Sequence, residues 1–163
     1  MKLTAARPLA LMAAALACVL AALAGLAWGW ARSPYAAGAP VSASAIAQLT
    51  VLASRAAQAN GDGSPQWVTA VPTTRAKALT SATPGDLVPG ADRVRVYLVT
   101  MCGHFTAYGS SVPPGAALPT GEYLSIVVDA STFQVLDFGL SPTPPRIPPA
   151  SLGPVTYLTG GGR

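Results

Sequence analysis

Between Arg93 and Leu140, apolar and polar residues alternate with a period of two in three runs separated by turn-forming residues. That spacing fits strands that bury one face and does not fit a helix. In the first run Val94, Val96 and Leu98 alternate with Arg93, Arg95 and Tyr97, and the chain continues through Val99, Thr100, Met101 and Cys102 to Phe105. A second run sets Leu124, Ile126 and Val128 against Tyr123, Ser125, Val127 and Asp129. Asp129, Ser131 and Thr132 can bond neighbouring backbone groups, so Asp129 to Phe133 reads as a tight turn. Gln134 to Leu140 then returns with Leu136, Phe138 and Leu140 on the buried side, which makes a hairpin. Between the first two runs, Tyr108 to Gly121 is a proline-rich loop whose Pro113, Pro114 and Pro119 interrupt regular pairing.

These runs predict an antiparallel sheet with Val94, Val96, Leu98, Leu124, Ile126, Val128, Leu136 and Phe138 turned toward helices. Each such side chain contributes roughly 1.5–3 kcal/mol on burial, before conformational entropy is counted. The opposite face would carry Tyr97, Val99, Met101, Tyr123, Val127 and Val135, which is more apolar than a solvated surface requires. Tyr97, Val99, Met101, Tyr123 and Val127 therefore form a candidate partner-binding face. Its cover is either the chain's own Val155 to Leu158 or a partner protein, on the face or as an added strand.

Upstream, Ser42 or Ser44 can cap a helix in which Ile46, Leu49, Leu52, Ala53 and Ala56 share one side, with Asn60-Gly61 as its stop. Trp67 to Val71 is a short strand or extended connection, and Pro72-Thr73-Thr74 can start a second helix through Arg75 to Leu79. Arg75 and Lys77 read as two solvated charges on that helix rather than as an anion site. Thr83 to Asp92, with Pro84-Gly85 and Pro89-Gly90, is a turn-rich connection.

No charged residue occurs from Pro8 to Ala31. As a helix, Leu9 to Trp30 would be roughly 33 Å long, enough to cross a bilayer core. Lys2 and Arg7 precede this run and Arg32 alone follows it closely, so the amino terminus is expected in the cytoplasm and the rest outside. Trp28, Trp30 and Tyr35 fall where an outer aromatic belt would lie. The alternative is a signal peptide, since Gly29 and Ala31 make a passable cleavage context. Length favours a retained anchor at residues 8–31, and both readings export the remainder of the chain. The implied organisation is an anchor or signal segment over 1–32, a linker over 33–41, a small domain over 42–140 and a Pro/Gly-rich tail over 141–163.

Charge excludes one class of partner. Of the formal +4, three cations flank the apolar segment, and from Ser33 onward seven basic residues face six acidic ones. No basic cluster with interleaved aromatics is present, so the footprint of a nucleic-acid binder is missing.

Chemistry-bearing residues are few. Cys102 and His104 are the only cysteine and histidine of the exported part, and at i and i+2 on a strand they would share a face. An anchored cysteine enzyme of the sortase-like transpeptidase kind would fit this topology. Such catalysis also needs a group that orients the base or holds the oxyanion, which this pair does not supply. Two residues are too few for a metal site, and no cofactor motif occurs. Cys18 lies within the apolar segment and cannot reach Cys102, which is therefore free or joined to another chain through an intermolecular disulfide.

The segment Tyr123 to Val135, Tyr-Leu-Ser-Ile-Val-Val-Asp-Ala-Ser-Thr-Phe-Gln-Val, resembles the strand, Asp-Ala-x-Thr-Gly turn and strand of PepSY-like and cystatin-like extracytoplasmic domains. Phe133 stands where that pattern has glycine, and a bulky residue disfavours a positive φ there. The resemblance implies a non-catalytic envelope domain that binds or restrains a protein partner.

The expected fold class is α+β: an N-terminal transmembrane or signal helix, then one or two helices packed on an antiparallel sheet of three to four strands. The expected role is non-catalytic interaction. The cysteine enzyme and a structural secreted domain without a dedicated partner are the alternatives.

Overall fold

Ser42 opens the first helix by accepting a hydrogen bond from Ala45 N at 3.3 Å, which satisfies one of the unpaired donors of the first turn. That helix, α1 (Ala43–Ala59), turns Ala45, Leu49, Ala53 and Ala57 inward and ends at Asn60, with Gly61 next at φ 89°. The structure is a computed structural model that describes residues 39–83, 85, 89–91 and 93–159. The segment 8–31, read from sequence as an anchor or signal, lies outside the described residues. Among those described, no helix is long and apolar enough to cross a membrane.

After α1 come β1 (Trp67–Thr74), α2 (Arg75–Ala82), β2 (Arg95–Thr106), β3 (Thr120–Asp129), β4 (Val135–Ser141), a single 3₁₀ turn (Pro149–Ser151) and β5 (Thr156–Thr159). The domain is therefore α+β, with two helices on a five-stranded antiparallel sheet in the order β4-β3-β2-β1-β5. Five strands replace the three to four expected, because Trp67 to Thr74 pairs fully with β2 and the tail supplies β5. Pro72 fits inside β1 because β5 pairs only with Val68, Thr69 and Ala70, so the missing N–H falls where that side of β1 has no strand.

Register decides which side chains meet. Tyr97 pairs with Val128, Leu98 with Val127 and Val99 with Ile126, so partners at these positions share a face. One face carries Tyr97, Val99, Met101, Leu124, Ile126, Val128, Val68 and Ala70, all buried in one cluster with α1. The other face carries Val96, Leu98 and Val127, buried with Ala78 of α2, and Val94, Leu136 and Leu152 pack against them. The core predicted as one set is thus divided. Val96 and Leu98 lie on the α2 side while Leu124, Ile126 and Val128 lie on the α1 side. Phe138, expected in the core, is exposed because it sits on edge strand β4 beyond the reach of α1.

Two local features correct sequence expectations. Phe133 adopts φ 57°, the left-handed conformation that glycine favours. Such strain costs about 1 kcal/mol or more, and it is offset by packing: the Phe133 ring stacks on Tyr97 at 6.0 Å and 23°. Arg75 is not a free solvated charge. Its Nε and Nη2 donate to Asp137 Oδ2 and Oδ1 at 2.8 and 2.7 Å, a two-pronged bond that ties the start of α2 to β4.

The tail crosses the α2 side of the sheet. Ser81 Oγ donates to Ile147 O at 2.7 Å, Arg146 N donates to Ser81 O at 3.3 Å, and Leu152 joins the α2 cluster. Gly153 passes so close to β1 that a Cβ there would lie 2.8 Å from Pro72 O.

Gly153→Val is expected to lift the tail from β1, lowering stability to denaturant by about 1–3 kcal/mol and speeding amide exchange in β5. Gly109→Val is the control, because a Cβ there meets nothing within 4 Å. A double-mutant cycle with Arg75→Ala and Asp137→Ala should return a coupling of about 1 kcal/mol that falls with added salt. Additive effects of the two changes would show that the pair contributes nothing to stability.

Candidate functional site

The residues with chemistry cluster where β1, β2 and β3 come together at the α1 C-terminal end. Trp67, Cys102 and Tyr123 occupy one row across the three strands, and the Trp67 and Tyr123 rings lie 6.2 Å apart at 56°. Cys102 is half-buried, with Sγ 3.9 Å from Gln66 Oε1. Burial pushes the thiol pKa up, a hydrogen bond with Tyr123 pulls it down, and the carboxylates of Glu122 and Asp62 push it up again, so it rises on balance. The protonated thiol is favoured, the reverse of what a nucleophilic cysteine requires.

The β2–β3 register shifts between Cys102 and Phe105, and Asp62 Oδ2 accepts a hydrogen bond from His104 N at 2.9 Å. Gly103 belongs to this irregularity, since a Cβ there would collide with Asp62 Oδ2. Asp62 Oδ1 accepts in turn from Ser64 N at 2.9 Å, so its carboxylate clamps the loop after α1 to β2. Among the described residues, no group of three His, Cys, Asp or Glu side chains is placed to hold a metal ion.

The five residues of the predicted partner face do not lie on one face. Tyr97, Val99 and Met101 are buried beneath α1, whereas Val127 is buried on the α2 side and Tyr123 is half-buried on that same side. Their apolar character belongs to a sheet covered on both sides.

The exposed apolar surface lies elsewhere. Val135 and Phe138 of β4 are 48% and 45% exposed, and their β3 partners Val128 and Ile126 lie in the α1 cluster, so both extend the α1 side to the open edge. Val51, half exposed on α1, lines a hollow of about 380 Å³ with Ala47, Gln48, Leu52 and Phe133. The sequence held a faint signal for Val51, which stands outside the Leu49, Leu52, Ala53 and Ala56 stripe. For Phe138 it held none, because edge position depends on strand order.

The β4 edge has little to keep another strand away. Edge strands are commonly protected by outward charge, proline or strong twist. The only charged residue of β4 is Asp137, and its carboxylate is taken up by Arg75. At the far edge, β5 is only four residues long.

No family model matches this chain, and no curated protein or solved structure matches it.

In a Cys18→Ser background, Cys102 should alkylate more slowly at neutral pH than an unhindered thiol of ordinary pKa. Its rate should climb with pH beyond the usual thiol range, and Glu122→Gln should shift that profile down. A profile centred below the ordinary thiol pKa would contradict the electrostatics of this row.

Proposed function

We propose that this chain is an exported, non-catalytic binding module of the cell envelope, held at the membrane by residues 8–31, which takes an extended segment of a protein partner along β4. The observation that carries this reading is the open β4 edge, with Val135 and Phe138 exposed and Asp137 neutralised by Arg75. An added strand would pair its backbone with the free edge and cover the two apolar side chains, which supply the contacts that select a sequence. The turn at Asp129 is suited to holding that edge in place. Its carboxylate accepts from Ser131 Oγ at 2.6 Å, Ser131 N at 2.8 Å and Thr132 N at 2.9 Å. These bonds, that of the Ser131 hydroxyl first, lower its pKa to about 2, so the ionised carboxylate that accepts them persists into mildly acid solution.

The likeness of Tyr123 to Val135 to PepSY-like and cystatin-like hairpins agrees with this reading. Against the cysteine-enzyme alternative stand the raised thiol pKa of a half-buried Cys102 and its contact with Gln66 rather than with a base.

A photoreactive residue at Val135 in the native membrane should yield one discrete heavier adduct containing a defined segment of another protein. Phe138→Lys, which places a charge on an edge side chain that is 45% exposed, should remove it while the domain still melts in one cooperative transition. An adduct that survives Phe138→Lys, or adducts only within the chain itself, would overturn the proposal.

A further inference from the structure

One end of the domain combines three features that no strand-binding role uses. The chain enters there: Val41 is buried against the α1 cluster and Ser42 caps α1, so residue 38, the last before the described part, lies only a few residues away. Exposed apolar surface is there: Val51 and Phe133 line the open hollow on the first half of α1, and Phe133 is held in place by Tyr97. Cations are there as well. Arg95 O accepts from Ala130 N at 3.1 Å, which sets Arg95 beside the β3–β4 turn, and by alternation its side chain lies on the face of Tyr97. Arg93 precedes it, and both arginines are exposed.

Charge at this end favours an anionic surface. Helix α1 has one charged residue, Arg55, in 17 and no carboxylate. The Asp129 carboxylate is turned onto its own loop by three hydrogen bonds, and Asp92 lies outside the described residues. The carboxylates of Asp62 and Glu122 sit at the other end, around Cys102. An apolar hollow with Arg95 at the same end and, among the described residues, no carboxylate turned outward there suits a headgroup region better than another soluble surface. Tether length points to the same occupant. From Ala31 to Ser42 the chain can extend at most roughly 40 Å, so a domain tethered through residues 8–31 stays beside the bilayer.

We infer that this end is a lipid-contact surface, with Val51 and Phe133 entering the headgroup region of a bilayer and Arg93 and Arg95 lying against anionic lipid. This rests on the membrane part of the proposed function, but not on the β4 partner. Docked in this way, β4 would begin near the lipid at Val135 and lead away from it toward Ser141, leaving its edge open to an extended segment.

The test uses the full chain in vesicles of phosphatidylcholine with or without phosphatidylglycerol, each carrying a nitroxide-labelled lipid. In a Cys18→Ser, Cys102→Ser background, an environment-sensitive fluorophore is placed at Val51→Cys or, at the far end, at Glu122→Cys. Flotation of the chain with neutral vesicles after an alkaline wash reports the anchor separately, and its failure would overturn only the anchor. The expected result is strong nitroxide quenching at position 51 in anionic vesicles, little at position 122, and about a tenfold or greater loss of the docked population with Arg93→Ala and Arg95→Ala together. Equal quenching at the two positions would overturn the inference, whether or not the chain floats. So would quenching at position 51 that ignores both arginines and phosphatidylglycerol, or a fluorophore at 51 buried against a second copy of the chain.

Discussion

The central strand β2 is buried on both faces, and the rest of the domain depends on that constraint. Val96 through Met101 are all buried, so neither alternation class of β2 can face water. A strand of this kind needs two covers. Helix α1 covers Tyr97, Val99 and Met101, while α2 and the tail lie on the side of Val96 and Leu98. The second cover is the thinner one. Helix α2 has only eight residues, and it relies on the Arg75–Asp137 pair at its start and on the Ser81–Ile147 bond near its end. The proline-rich segment is therefore part of the fold, because it brings Leu152 to the α2 cluster and leads into β5.

Burying a polar strand row has a cost. Thr100 Oγ1 is buried without a hydrogen-bond partner among the described residues, although its carbonyl accepts from Thr69 Oγ1 at 3.5 Å. Thr69, Thr100 and Ser125 form a small polar row between the α2 cluster and the Trp67–Cys102–Tyr123 row. The domain thus keeps a polar row inside the sheet, and the carboxylates of Asp62 and Glu122 gather around Cys102. Exposed apolar side chains emerge along β4 and at the first half of α1, and Tyr108 and Tyr157 are exposed elsewhere.

Most elements were legible in the sequence, because each has a local signal. Ser42 as a cap, Asn60-Gly61 as a stop, the period of α1 and the hairpin around Asp129 all depend on residues a few positions apart. The division of faces was not legible. The uninterrupted runs Tyr97-Leu98-Val99 and Ile126-Val127-Val128 indicate burial on both sides, yet the alternation of Val94, Val96 and Leu98 beside Arg93 and Arg95 suggested one buried face. Pairing parity between β2 and β3 is carried by a long loop and by the irregularity at Gly103, and a slip of one residue exchanges every side chain between faces. Phe133 misled for a different reason, since its ring on Tyr97 is a tertiary contact that offsets a local backbone penalty. The candidate surfaces were hidden for the same cause as the faces: exposure at Val135 and Phe138 is a property of strand order, and exposure at Val51 depends on how far α1 reaches across the sheet.

The two-sided burial of β2 and β3 can be tested directly by methyl NOE spectroscopy of the full chain in micelles. Cross-peaks should join Leu98 to Val127 and Val127 to Ala78, with a separate network joining Val99, Ile126 and Leu49. Cross-peaks from Leu98 to Ile126 in place of those to Val127 would mean that the strands pair one residue out of this register, and the assignment of both candidate surfaces would fail with it.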